Sequence, residues 1–478
     1  MRIAPPKRYL RFLFIALDLL IIVLMVRVLF GDSNKYQDWG NDASRYQCYA
    51  LAFVHGEKAA TDLGNQCAFL VNVDPQQLTY PQARIIRIMQ KVHVPSAIVA
   101  YFSAQSTSRR FHDLPHEYPM LVLIPLTFGL LGTANNYQVT FSYFEIAICI
   151  LIYLALVRWR SRSSAIAFAL LMSIGTEWVV GARFDIYPAA LTLFAVMLAA
   201  YKKWNWAFVL LAFATLLKFY PVLLLLPFLL SQQREVQVKW SAWKRWQPLA
   251  IYCVICACVM AVSFLLYAEG TIAPFTYFGN RPIQVESLAA SVAWLQNVYH
   301  HSTGQVYFAL TFGSLNMYGP HTTLVSRLDT YAMVAGILYT LWLQWRYKID
   351  LATSTLLILL VIIVTGKVFS PQYLIWILPL VAYVGASNSW WLGTWTVIGY
   401  LTTWIFPYIY WMEPHFEWVP LGPLFFPVTI ARNFLFAGFT LACLVAYSFR
   451  KPLQQVRPLF RKSLPLQEEV PAPEAIGV

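Results

Sequence analysis

Seven charged side chains and one amide stand at or near the edges of long apolar runs in this sequence: Asp42, Glu117, Asp185, Lys218, Arg281, Glu286, Lys367 and Gln372. Ionisable groups are costly to bury in a bilayer, and where they occur they usually line a cavity or a site. Carboxylates and cations gathered in one place can move a group from one oxygen to another. A carboxylate takes the proton of an acceptor hydroxyl, while cations stabilise a phosphate as charge builds on it.

Each residue also has a plainer reading. Asp42 lies in Asp38-Trp39-Gly40-Asn41-Asp42-Ala43-Ser44-Arg45-Tyr46, where it could act as a base or cap the helix that follows. Asp38 competes for the same role. Glu117 lies in Leu114-Pro115-His116-Glu117-Tyr118-Pro119, and Pro119 biases Tyr118 away from helix. That segment could present His116 and Glu117 to a ligand or simply begin a surface helix. Arg183 and Asp185 could pair across one turn. Lys218 could reach the membrane interface or bind phosphate. Arg281 offers a forked donor to phosphate, with Glu286 as an alternative partner. Lys367, in Gly366-Lys367-Val368-Phe369-Ser370-Pro371-Gln372-Tyr373, supplies one more cation beside hydroxyl and amide groups.

The elements that must position these residues follow from composition. The chain has 478 residues, 59% of them hydrophobic and only 12% charged, with a formal net charge of +13. A soluble domain carries about 25% charge. These figures exclude a soluble enzyme, a disordered chain and a collagen-like chain, and leave a multi-spanning membrane protein. Twelve apolar runs are read as spans: 9–30, 141–157, 164–181, 187–201, 204–217, 220–231, 247–267, 329–345, 350–366, 371–386, 390–408 and 430–449. The break between 217 and 220 reads either as an outer-face turn or as a broken helix. The run 118–131, with two prolines, is too short to span and reads as lying on the outer face.

On that topology the basic patches at 158–162, 202–203, 234–245, 346–348 and beyond 450 all fall on the cytoplasmic side, as the positive-inside rule requires. The first run keeps its own length and lacks a cleavage pattern, so it reads as a span rather than a signal peptide. The polar residues singled out above then fall on the extracytoplasmic side. The expected fold is all-α and polytopic, one membrane domain over 1–449. Two large outer loops, 31–140 and 268–328, carry surface helices, and a disordered cytoplasmic tail occupies 450–478. Both termini are cytoplasmic.

Cys48 and Cys67 are the two cysteines placed in outer loops; they could form a disulfide. Cys253, Cys256 and Cys258 have no accompanying His or acid and read as helix packing. No metal and no cofactor are expected, and no Asp-x-Asp pair is present in a convincing context.

The same residues resemble the integral-membrane GT-C glycosyltransferases, and among them glycosyltransferase family 87, which uses polyprenol-phosphate sugars. Asp42 with Tyr46 resembles the acidic motif of the family's first loop. Glu117-Tyr118-Pro119 is similar to its Glu-Tyr-Pro-Pro-Leu segment, with Met120 in place of the second proline. Phe184-Asp185 resembles its Gly-Gln-x-Asp turn, with Arg183 departing from the amide. Leu217-Lys218-Phe219-Tyr220-Pro221 resembles its Leu-Lys-x-Tyr-Pro element. Arg281 through Ser287 and Ser370-Pro371-Gln372-Tyr373-Leu374 are similar to the later motifs.

The resemblance implies an about twelve-helix GT-C fold in the inner (plasma) membrane, its active site extracytoplasmic. The implied activity is inverting transfer of mannose, another hexose or arabinofuranose from a polyprenyl-phosphate donor to a lipid or glycan acceptor. Asp42 is implied as the catalytic base and Lys218, Arg281 and Lys367 as donor-phosphate ligands. Glu117, His116, Asp185, Tyr118, Glu286 and Gln372 are implied to hold sugar or acceptor. The implied partners are the lipid-linked donor, the acceptor and membrane lipids; a monomer that binds no nucleic acid is expected. The competing class is a lipid or lipid-linked sugar transporter, which would show flux without a new glycosidic bond. Transporters commonly carry polar sites near the midplane in two related halves, and neither pattern is evident here.

Overall fold

The computed structural model describes residues 8–35, 42–71, 80–236 and 238–453. Asp38, the expected competitor of Asp42, and most of the expected tail lie outside them. The chain is mostly helical, with several apolar helices, and is a multi-pass membrane protein. Among the described residues, four helices are long and apolar enough to cross a bilayer by themselves: Phe12–Gly31, Tyr137–Trp159, Trp243–Leu266 and Phe425–Phe449. Shorter apolar helices, among them Arg162–Gly175, Ile186–Ala200, Trp204–Leu217, Leu351–Val364 and Tyr373–Gly385, fill the space between. The first helix keeps Phe12, Leu13, Leu19, Leu20 and Val23 exposed. In water such a stripe would be an open apolar patch; in lipid it needs no cover.

The helices are held by apolar packing and by a few paired charges. Arg162–Gly175 crosses Ser389–Thr403 at Gly175 and Gly399. A side chain added at Gly175 would meet the Gly399 Cα at 3.1 Å, so the backbones approach closely, as small residues allow in membrane helices. Thr403 Oγ1 donates to the Ile174 carbonyl at 2.6 Å across this crossing. Asp18, buried in the first helix, is met by Arg162 and by the Tyr153 hydroxyl, both at 3.1 Å.

Several helices end where the site begins. The run expected as helix over 164–181 stops at Gly175, and Thr176 turns its hydroxyl back to the Met172 carbonyl at 2.8 Å. Residues 176–185 instead form a turn carrying Trp178, Arg183 and Asp185. The run expected over 390–408 leaves the α-helix at Thr403 and continues through a wider turn containing Pro407, whose ring and missing N–H do not fit a helix interior. At the 217–220 break, Trp204–Leu217 ends, Lys218 is extended, and a tight helical turn at Tyr220–Leu224 leads into Leu225–Glu235. The run 118–131 forms three short helical pieces rather than one helix.

Three smaller cores sit beside the helix bundle among the described residues; one is a small cluster of Ile85, Phe102 and Ala268, and the other two belong to the two large loops. The first-loop core gathers Tyr46, Cys48, Tyr49, Leu114, Tyr118 and Phe184. Cys48 and Cys67 are bonded within it, with Cα atoms 5.5 Å apart. The second-loop core gathers Val285, Phe308, Met317, Tyr410 and Phe425 around a small sheet. That sheet adds strands to a chain expected to be all-α. β1 (Ile283–Gln284), β2 (Tyr307–Thr311) and β3 (Ser314–Tyr318) pair antiparallel in the order β1-β3-β2. Tyr307 lies opposite Tyr318, and Thr311 opposite Ser314. Phe312 and Gly313 form the two-residue turn with φ of 52° and 62°, the left-handed pair that tight hairpins use.

Candidate active site

Asp42 is the first residue of the helix Asp42–His55, so its carboxylate sits at the positive end of the helix dipole. Arg45, one turn on, lies on the same face. The Arg45 guanidinium is 3.9 Å from Asp42 and bonds Glu117, while Arg183 from the 176–185 turn bonds the other oxygen of Asp42. Three separate segments therefore meet in one charge web: the second helix, the 114–119 segment and the turn before Ile186–Ala200.

This web opens into a cavity of about 760 Å³. Asp42, Arg45, His116, Glu117, Arg183 and Glu286 are the ionisable residues with acid or base side chains lining it, and Trp178, Phe406, Tyr410 and Phe416 supply aromatic walls. Burial lowers the His116 pKa, so at neutral pH the imidazole is a neutral donor or acceptor. The tip of the β2–β3 hairpin closes one side. The Tyr277 hydroxyl donates to the Phe312 carbonyl. Asn316 Nδ2 donates to the Thr311 carbonyl at 2.7 Å, and Arg281 donates to Ser314 Oγ at 2.9 Å. A Cβ on Gly313 would come within 2.5 Å of Arg45 Nη1, so a side chain there would push the guanidinium aside, and the φ of 62° favours glycine.

Glu286 reaches the cavity from the second loop and is held from behind. Arg432, in the last helix, donates to its carboxylate at 3.1 Å and to its carbonyl at 2.6 Å. The Tyr410 hydroxyl adds a bond at 3.1 Å. Burial raises the Glu286 carboxyl and Arg432 opposes that rise.

Of the expected site residues, the structure brings Asp42, Glu117, His116 and Glu286 to this cavity. It does not bring Lys218, Arg281, Lys367, Asp185, Tyr118 or Gln372 to its lining. Asp185 pairs with Lys218 rather than with Arg183. The Lys218 ammonium is buried 2.5 Å from Asp185 Oδ1, which also accepts the Trp376 indole N–H. The rings of Phe184 and Trp376 lie 5.0 and 4.9 Å from that ammonium. Lys218 is enclosed because these aromatic rings pack over the break between two helices. Arg281 supports the hairpin, Lys367 gives its carbonyl to the Gln284 N–H at 2.9 Å, and Gln372 is buried. Tyr118 packs edge-on to Phe184 at 4.9 Å, beneath the site. Arg45 and Arg432 carried no expected role in the sequence, and Arg183, read there as a partner of Asp185, pairs instead with Asp42. The Asp42–Arg45 spacing and a lone arginine in an apolar run were the available signals.

Lys218→Gln leaves the Asp185 carboxylate buried without its cation. It is expected to cost about 3 kcal/mol of stability, with Lys218→Gln/Asp185→Asn recovering most of it in thermal unfolding. A Lys218→Gln protein of wild-type stability would contradict the structural pairing.

No family model and no solved structure matches the chain. Over 208 residues it is 24% identical to GPI mannosyltransferase 1 of Trypanosoma brucei brucei, which covers 42% of this chain. The match spans 45% of that relative's length, less than half. The chain is thus similar over part of its length to a mannosyltransferase.

Proposed function

We propose that the protein is an inverting, GT-C type glycosyltransferase. It moves a sugar from a polyprenyl-phosphate donor to a lipid or glycan acceptor at the extracytoplasmic face of the membrane. The observation that carries this reading is Asp42, set beside two arginines in a cavity built onto a bundle of apolar helices. The name of the partial relative favours mannose as the sugar.

The chemistry balances without further reagents. The acceptor hydroxyl attacks the anomeric carbon as Asp42 takes its proton. The bond between that carbon and the phosphate oxygen breaks, and its electron pair leaves with the polyprenyl phosphate. One displacement inverts the configuration. Positive charge near the phosphate stabilises the charge it gains. Glu117, Glu286 and neutral His116 can hold sugar or acceptor hydroxyls, and Trp178 and Tyr410 offer faces on which a sugar ring can pack.

Incubation of the purified protein with a panel of polyprenyl-phosphate sugars and a membrane lipid extract, followed by mass spectrometry, tests the reading. A new glycoside with released polyprenyl phosphate is expected. No product from any donor by folded protein would count against it. Gly313→Ala puts a methyl group against Arg45 in a backbone region that disfavours it. Transfer is expected to fall about tenfold by misplacement of the site, with the apolar core intact by thermal unfolding. Wild-type initial rates would detach the hairpin from the chemistry.

A further inference from the structure

The cavity's two arginines are each held by a carboxylate of the same chain. Arg183 is bonded by Asp42, and Arg45 by Glu117, with Asp42 at 3.9 Å. Glu286, the remaining acid in the lining, is already neutralised by Arg432. Two carboxylates and two guanidiniums therefore stand against one another at the cavity wall. Among the described residues lining it, Arg45 and Arg183 are the cations. Arginine presents forked donors that fit a carboxylate and a phosphate equally well in shape.

We propose that Arg45 and Arg183 form the seat for the donor's phosphate group, and that Asp42 and Glu117 fill this seat as internal anions until the donor arrives. This rests on the glycosyl-transfer reading and adds to it a built-in control of the base. An arginine bonded to Asp42 favours its charged form and weakens it as a proton acceptor. When phosphate takes Arg183, Asp42 is released with its basicity restored, at the moment the sugar is in place. Only ion pairs exchange in this step; no covalent bond changes. Asp42 stays near because it is fixed at the start of its helix, and Arg45 stays near because the hairpin tip closes over it. The charges of the cavity wall are thus balanced within the chain itself.

The seat makes a prediction opposite to that of an ordinary ligand-contacting acid. Removing an internal anion should tighten phosphate binding. Equilibrium binding of a long-chain isoprenyl monophosphate and of inorganic phosphate would be measured by quenching of tryptophan fluorescence, Trp178 being in the lining. Asp42→Asn and Glu117→Gln are each expected to bind the isoprenyl monophosphate about tenfold more tightly than wild type. Arg183→Gln and Arg45→Gln are expected to bind it at least tenfold more weakly. Displacement of the lipid by inorganic phosphate would assign the seat to the phosphate group itself. Tightening seen only with the lipid would assign it to headgroup and chain together. Unchanged or weaker binding by Asp42→Asn would overturn the proposal. If the arginine variants fail to fold, the two near-isosteric acid-to-amide variants decide it alone. Tightening by Asp42→Asn, with no glycoside formed from any donor by the wild-type protein, would sink the transferase reading and keep the seat. Glycoside formation with unaltered phosphate binding would do the reverse.

Discussion

Asp42→Asn is expected to lower the rate of sugar transfer by about 10²–10⁴-fold, the range a positioned general base contributes, while the protein still folds and still takes up donor lipid. The amide keeps the size of the carboxylate and can still cap the helix that begins there. It cannot accept the acceptor's proton. A capping role alone would give a small loss of stability and near-normal turnover. Single-turnover rates on one preparation, beside its thermal unfolding curve, separate the two. Near-normal turnover with full stability would remove Asp42 from the chemistry and return the question to Asp38 and Glu117.

The largest expected loss of stability comes from Arg432. Its side chain is 0% exposed and that of its partner Glu286 3% exposed. Arg432→Met leaves the Glu286 carboxylate buried without a cation, with the Tyr410 hydroxyl and the Gln284 side chain as its remaining donors. Breaking such a pair costs about 3–5 kcal/mol. The upper part of that range is expected, because Arg432 also holds the Glu286 backbone carbonyl. The second loop should then loosen from the last helix at Glu286, where Asn433 remains bonded to the Glu286 carbonyl and to Ser291. Thermal unfolding of Arg432→Met and of Arg432→Met/Glu286→Leu tests this. The double variant should regain most of the stability, because replacing a whole buried pair with apolar groups is often close to neutral. It should not regain transfer, because Glu286 also lines the cavity. A single variant as stable as wild type would contradict the anchoring role.

The helical architecture was legible because bilayer spans must be long and apolar, and the sequence shows such runs. Their ends were less legible. Thr322–Trp345 starts seven residues before the expected run over 329–345, since polar residues in its first turns do not forbid helix. The small sheet was missed because β1 is two residues long, β2 alternates only loosely, and β3 is buried at three consecutive positions. A hairpin with a Phe-Gly turn has no Asn-Gly or Asp-Gly signal.

The acids of the cavity were more legible than its cations. Asp42, Glu117 and Glu286 stand out as lone carboxylates beside apolar runs, and all three reach the cavity. Which base meets which acid depends on contacts between distant segments, and local spacing does not encode them. Glu286 and Arg432 are 146 residues apart, and Asp185 and Lys218 are 33 apart. Arg183 lies two residues from Asp185, and its actual partner is in the first loop. Arg432 sits inside the apolar run 430–449, where a single arginine is itself the pointer to a buried partner.

The most direct test of Asp42-driven transfer follows the anomeric carbon. A donor labelled with carbon-13 at that position would be turned over once by the wild-type protein and by Asp42→Asn, and the product read by NMR. Inverted configuration in the wild-type product, with little or no product from Asp42→Asn, is expected. Retained configuration, or undiminished transfer by Asp42→Asn, would contradict a single displacement with Asp42 as the base.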